Sequence, residues 1–493
     1  MLGIHLLREN KKSLSSLFFL IFIGIAFSHT ASAAPILSWS DPVTIGENTV
    51  GIATASSGPI YATQSSTKKY NLSGPPAVAT WATEGVDVVV DQASGEVIIA
   101  GTSGVSGSYN ITKHTSAGSI VWNRSFNGGA FAFAKRVATD NQRNIYIAGY
   151  DASSTFGVNR WRVIKYDSVG TLQWGVTYDH TGGGGTNDEA IGIAADNQNP
   201  AWIYVVGRVS DVPTEKGYII RFNSTNGAIV WKRLYDTGSN GQPLQAVAAD
   251  ANNDVYFTGS NIPGSTLNIF TFKLAGTTAS TSAPIWSDSV DSATGLSADI
   301  GFDITVKGSF VYVTGGLRLY EATQSAMTTL KYNASSGNKL WQVNYPLASG
   351  GAYYGTSLDI ASDNGVVVTG LYKTVKYVNA CTGPLTFGSW STPTSTVGSS
   401  PKLTDITDLR TRIDTLRTDA GLGAFIWTDS PLTAGIGVRA VHINDLRQAT
   451  EDIYTACGQT LPSWTDGSRV IAGGTPMRVQ HINELRTAVS GAF

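Results

Sequence analysis

The chain has 493 residues, too many for one ordinary core, so two folded parts and a leader are expected. Charged residues make up only 14%, the formal net charge is −2, and no basic run follows the amino terminus. That balance argues against nucleic acid as a partner, because phosphate binding needs a concentrated positive surface.

Residues 1–34 read as a secretory signal peptide. Arg8, Lys11 and Lys12 form the positive segment, 17–27 the apolar stretch, and Ala31-Ser32-Ala33 a small-residue cleavage site. The apolar stretch is short for a membrane span, and no later segment has the length and apolarity of one. The mature chain is therefore expected to be secreted or held at the cell surface, with no transmembrane segment after signal removal.

From residue 35 a unit of roughly 50 residues recurs. Its clearest copy runs Ile191-Gly-Ile-Ala-Ala-Asp196, Ile203-Tyr-Val-Val-Gly207, Ile220-Arg-Phe222, then Gly227 to Trp231. Each unit carries two hairpin signals and hence four strands, the content of one propeller blade. The position before the second turn reads Tyr70, His114, Tyr166, Phe222, Leu274, Tyr332 and Tyr377. The Trp after that turn reads Trp81, Trp122, Trp174, Trp231, Trp286 and Trp341. The last unit lacks its Trp, and Trp39 supplies it, since Ser38-Trp39-Ser40-Asp41 matches Ile285-Trp286-Ser287-Asp288. A first fragment that completes the last copy implies a closed ring. The fold expected over 35–381 is all-β, a seven-bladed β-propeller closed by its N-terminal strand. Its units start near Val50, Gly85, Phe131, Asp188, Leu244, Asp299 and Tyr354.

Residues 382–401 are rich in Ser, Thr, Gly and Pro and read as a linker. Over 402–493 the apolar period changes from 2 to 3.6, which predicts a small α-helical module. Leu403, Ile406, Leu409, Ile413 and Leu416 share one helical face, and further helices are expected over 438–457 and 479–489. The module is itself a repeat. Trp427-Thr428-Asp429 recurs as Trp464-Thr465-Asp466, and His442-Ile-Asn-Asp445-Leu-Arg447 as His481-Ile-Asn-Glu484-Leu-Arg486. A shortened copy, Ile406-Thr-Asp-Leu-Arg410, opens it. The two cysteines, Cys381 and Cys457, are allowed a disulfide in an exported protein.

The pattern Gly-Ile-Ala-x-Asp, Tyr-Val-x-Gly, Lys-Tyr-Asp-x-x-Gly-x-x-x-Trp resembles the bacterial SBBP β-propeller repeat family, found in secreted and surface proteins. The best match includes Ile145-Tyr-Ile-Ala-Gly149 and Lys165-Tyr-Asp-Ser-Val-Gly170. The resemblance covers about residues 37 to 380 and implies a fold but no chemistry. The tail resembles a module with Trp-Thr-Asp and His-Ile-Asn-Glu-Leu-Arg motifs at the C-termini of exported bacterial proteins. Its terminal position suggests surface attachment or sorting.

Several constellations in the sequence bear on chemistry. The turn residues Asp91, Asp140, Asp196, Asp250 and Asp363 leave calcium open, but Asp250-Ala-Asn-Asn-Asp254 lacks the Gly and the distant Glu of a calcium loop. Hairpin-turn chemistry accounts for them better. The repeated Trp residues also occur in quinoprotein propellers, where they dock blades. His114 stands at a Tyr-type position and reads as a packing residue. His180 precedes Gly182 to Gly185, which no Lys-Ser/Thr follows as a phosphate loop would require. His442 with Asp445 and His481 with Glu484 are i, i+3 pairs, expected to orient the loops at Trp427 and Trp464 rather than to bind a metal. No catalytic, cofactor or metal residue is assigned.

The expected function is an exported propeller for binding, adhesion or scaffolding, whose partner is an extracellular macromolecule: polysaccharide, cell wall or protein. The segments 153–160, 210–216 and 262–267 vary most between units and are the expected recognition loops. The alternative is an extracellular polysaccharide-active hydrolase or lyase, or a quinoprotein-like oxidoreductase. An enzyme should show carboxylates or a His converging on the channel with perturbed ionisation.

Overall fold

Residues alternate at period two and break at Asp, Asn and Gly turns, which builds short antiparallel strands. In the third unit Ala130–Thr139 turns into Ile145–Ala152, which returns as Asn159–Tyr166 and turns again into Leu172–Tyr178. Asp140 makes the first turn, its Oδ1 accepting the N–H groups of Gln142 (2.9 Å) and Asn144 (2.8 Å). In the second turn Gly170 has φ 83°, a conformation that costs glycine little.

The structure, a computed structural model, describes residues 35–42, 51–378, 390, 401–456, 461–467 and 478–490, with interruptions. The interruptions are 64, 104–106, 153–158, 181–187, 197–201, 212–213, 236–242, 263–265, 277–280, 293–297, 318–324, 346–353, 371–372, 421, 423–424 and 433–436. The expected signal peptide, Gly182 to Gly185, and Cys381 and Cys457, between which a bridge is allowed, lie outside the described residues. No helix among the described residues is long and apolar enough to cross a membrane.

The strands form seven four-stranded antiparallel sheets. Blades I to VI cover 51–81, 87–126, 130–178, 189–235, 244–290 and 300–345. Blade VII joins Gly355–Ile360, Val366–Gly370 and Lys373–Val378 to the N-terminal strand Ile36–Pro42, which lies outermost. In that pairing Ile36 stands opposite Val378 and Trp39 opposite Lys376. First strands of successive blades pack side by side, and that of blade VII packs on that of blade I, so the ring is closed. The chain is a seven-bladed β-propeller.

Strand order also defines two faces. Turns from first to second and from third to fourth strand lie on one, the turn face. Blade-to-blade connections and those from second to third strand open on the other, the loop face. The strands flanking 153–158, 212–213 and 263–265 end on the loop face, while those residues themselves lie outside the described set.

Three helices follow: α1 (Leu403–Asp419), α2 (Ala440–Ala456) and α3 (Val479–Ser490). Ile406, Leu409, Ile413, Leu416, Ile443, Leu446, Ile453, Ile482 and Leu485 form their core, spaced by threes and fours along each helix. Trp390, from the segment expected to be a linker, packs against this core.

Candidate functional site

The blade joints are built from the repeated Trp and from a basic residue that precedes each Tyr-type position. Lys113 Nζ donates to the Ser168 carbonyl (3.0 Å), Lys165 to Ser224 (2.9 Å) and Lys273 to Ala334 (3.1 Å). Trp122, Trp174 and Trp286 donate Nε1–H to the same three carbonyls at 3.4, 3.0 and 3.0 Å. Lys69 reaches Ser116, Arg221 reaches Gly276, and Lys376 reaches Leu72 in the same way. Every acceptor lies two residues past the next blade's Tyr-type position; for Lys331 that position is 379, outside the described residues. A charge-assisted bond of this kind contributes about 1.5–3 kcal/mol and the neutral Trp bond about 1 kcal/mol. Burying the indole contributes more, about 4–6 kcal/mol from its area.

Trp122, Trp174, Trp231, Trp286 and Trp341 each stand opposite that basic residue, at Lys113, Lys165, Arg221, Lys273 and Lys331. Trp81 differs. It pairs with Thr67, because it lies seven positions after Gly74 where Trp122 lies four after Gly118. Its ring still stacks on His114 of blade II, 5.0 Å between centroids. His114 is buried, its Nδ1 beside the Gly118 carbonyl (3.0 Å) and its Nε2 beside Thr83 Oγ1 (3.1 Å). Of Trp39 only the backbone register is described.

One row of first-strand residues holds the same register in all blades: Gly51, Asp87, Arg136, Gly192, Ala246, Asp303 and Ser357. In five blades the preceding residue is bulged out of the ladder, among them Phe302 and Thr356. A bulge frees its carbonyl from strand pairing. Arg136 uses both: its Nη2 donates to Phe302 O (3.1 Å) and Thr356 O (3.0 Å) and lies 3.6 Å from Asp303 Oδ1. Its Nη1 donates to Asp87 Oδ1 (3.4 Å). Blades VI and VII stand opposite blade III in a ring of seven, so Arg136 spans the channel axis.

The channel carboxylates also close the joints. Asp87 Oδ2 accepts Val137 N–H (2.8 Å) of blade III, Asp303 Oδ2 accepts Leu358 N–H (2.8 Å) of blade VII, and Asp359 Oδ2 accepts Thr54 N–H (2.8 Å) of blade I. Burial pushes the Asp87 carboxyl up to about 6, against the opposing pull of Arg136. Burial raises Asp359 too. On the turn face a cleft of about 280 Å³ lies among Thr54, Ser56, Gln92, Lys307, Asp359 and Ser362. Lys307 Nζ donates there to Ala361 O at 3.2 Å.

The turn aspartates bond their own hairpins. Asp91 accepts Ala93 N–H (3.1 Å), Asp250 accepts Asn252 and Asp254 N–H (2.8 and 2.9 Å), and Asp363 accepts Gly365 N–H (3.1 Å). Asp196 accepts the Asn253 amide of the neighbouring blade. Among the described residues no three His, Cys, Asp or Glu side chains stand grouped as metal ligands do. His180 lies with Nδ1 3.2 Å from Tyr178 Oη, and its backbone N–H donates to the buried Asp188 (2.8 Å).

In the helical module each motif pair holds its own Trp-Thr-Asp turn. Asp445 accepts Thr428 N–H (2.9 Å) and His442 Nε2 meets Asp429 Oδ2 (2.9 Å). Glu484 accepts Thr465 N–H (3.2 Å) and His481 Nε2 meets Asp466 Oδ2 (3.0 Å). The arginine of the preceding copy stacks on the turn's Trp: Arg410 lies 5.0 Å from the Trp427 ring and Arg447 5.1 Å from Trp464. Arg486 completes the cycle, 4.9 Å from Trp390 and 2.9 Å from Asp405 Oδ1. The three copies thus close on themselves, with Trp390 as the third aromatic.

No family model matches the chain, and no curated protein does. Among solved structures the chain is similar to the WD40 β-propeller domain of Doa1, with 9% identity over 70% of this chain and 97% of that one, TM-score 0.45. It is also similar to the quinohemoprotein alcohol dehydrogenase ADHIIG from Pseudomonas putida HK5, with 11% identity over 93% and 91%, TM-score 0.41. A protein of unknown function from Bacteroides caccae shares 11% identity over 55% and 81%, TM-score 0.36.

Proposed function

We propose that this chain is an exported propeller that binds an extracellular macromolecule, polysaccharide, cell wall or protein, through its loop face, with the helical module serving attachment or sorting. One observation carries the reading: the channel carboxylates and Arg136 are engaged in holding the ring together. Asp87, Asp303 and Asp359 each accept a backbone N–H from the next blade, and Arg136 is held by four oxygens. Groups committed in this way make a rigid ring, and a rigid ring presents variable loops well. The competing reading, a hydrolase acting on polysaccharide, draws on the raised Asp87 carboxyl beside a guanidinium in the channel.

The test incubates the mature chain, residues 35–493, with cell-wall and polysaccharide preparations and follows depletion and soluble products together. Depletion without products is the expected outcome. Released products lost on Asp87→Asn substitution would instead establish the catalytic reading.

A further inference from the structure

His442 and His481 each stand in the first turn of a helix, three residues after Arg439 and Arg478. The backbone N–H of Arg439 donates to His442 Nδ1 (3.2 Å), and that of Arg478 to His481 Nδ1 (3.3 Å). In return the backbone N–H groups of His442 and His481 donate to the Arg439 and Arg478 carbonyls (3.0 and 3.1 Å). This is the return half of a capping box, with imidazole in the place of the usual Glu or Gln. A backbone N–H only donates, so Nδ1 must present its lone pair and the ring proton must sit on Nε2. There it is given to Asp429 in one copy and Asp466 in the other. Both rings are fully buried. A second proton on Nδ1 would point at the capping N–H, with no water to turn to.

The first copy has no histidine. Asp405 takes the equivalent place, accepts Lys402 N–H (2.8 Å) and pairs with Arg486. A carboxylate there accepts the capping N–H through oxygen and has no ring nitrogen to protonate. The charged groups around His442 are Asp429 in the preceding turn, Arg439 and Asp445 on its own segment, and Arg410 on α1. At the second joint Asp466 meets His481 and is itself faced by Arg478 and by Arg447 from α2, which also pairs with Glu484. Burial, then Arg410 and Arg439, hold the His442 imidazole below its usual range.

We propose that the helical module is an acid-released clasp: protonation of His442 and His481 opens the joints of α1 with α2 and of α2 with α3, while the joint of α3 with α1, built on Asp405 and Arg486, stays shut. Opening frees the Trp427 and Trp464 turns from the helices that hold them. The clasp opens on the acid side of neutrality, and the range to cover runs from about pH 7 to about pH 5.

The test is amide exchange on the mature full-length chain across that range, corrected for intrinsic exchange rates. Thr428 and Thr465 report the joints, because their N–H groups bond Asp445 and Glu484. Their protection should fall about tenfold or more on acidification, while propeller amides keep theirs. Gln accepts the capping N–H and donates to the turn aspartate but does not titrate, so His442→Gln with His481→Gln should hold both joints at acid pH. The proposal is overturned if the double variant loses protection along with the wild type, or if the wild type loses none. Nitrogen-15 spectra assigned to His442 and His481 in the wild type test it without any variant: Nε2–H tautomers are expected for these two near pH 7, and Nδ1–H tautomers would sink the idea.

Discussion

Arg136 and Asp87 show what a single residue does to this ring. Six of the seven positions in the Arg136 row are Gly, Ala, Ser or Asp, and only Arg136 is long enough to cross the axis. Nothing periodic in the sequence announces it; it stands out only when first strands are aligned by their bulges. Asp87 carries a linkage consequence. Its carboxyl is raised to about 6 when folded, so between the unfolded value near 4 and about 6 the folded chain binds more protons. Its contribution is therefore fully present below the unfolded value and is lost as pH rises through about 6, on the order of 3 kcal/mol. Asp87→Asn should keep the bond to Val137 N–H and flatten the dependence of unfolding free energy on pH across that window. A variant with the wild-type slope would show that Asp87 does not titrate there.

The blade joint is the repeated element, and each of its parts has a separate cost. A Cβ on Gly337 would stand 2.6 Å from the Trp286 ring, and the residue has φ 73°. Gly337→Ala thus meets both strain and a clash, and denaturant titration should show a loss of about 1–3 kcal/mol. Trp286→Phe keeps most of the buried ring but removes the bond to Ala334 O, which Lys273 still holds. Most of its loss should come from lost packing, about 1–2 kcal/mol in all. Blade boundaries and turns were legible because they repeat as Gly, Asp, Tyr and Trp. The basic residue was legible too, since Lys69, Lys113, Lys165, Arg221, Lys273, Lys331 and Lys376 each precede a Tyr-type position. It went unread because a lysine in a strand reads as solvated, whereas Lys113, Lys331 and Lys376 are buried. Trp390 was missed for a related reason: it sits in Ser/Thr-rich surroundings without the Thr-Asp that marks Trp427 and Trp464. The register of Trp81 escaped because spacing from the turn glycine varies in blade I.

At the scale of the whole molecule, closure depends on one strand pairing and on three bonds between blades VII and I. The strand Ile36–Pro42 pairs with Lys373–Val378, and Asp359, Ser357 and Lys376 bond Thr54, Ile52 and Leu72 of blade I. Removing 36–42 leaves blade VII with three strands and should replace one cooperative unfolding transition by an earlier, broader one in calorimetry. The Trp39 match disclosed this closure from sequence, because a fragment copying an internal repeat has one place to go in a ring. Recognition was not legible in the same way: loops that differ between repeats have no template to be read against.

In the proposed function the ring recognises a macromolecule on its loop face while the braced channel stays out of the reaction. Amide exchange of the mature chain with and without a depleting cell-wall or polysaccharide preparation tests it most directly. Protection gained at 153–160, 210–216 and 262–267, with the Arg136 strand unchanged and no soluble products, is the predicted result. Protection centred on Ala130–Thr139 and Ile300–Lys307 together with released products would contradict it.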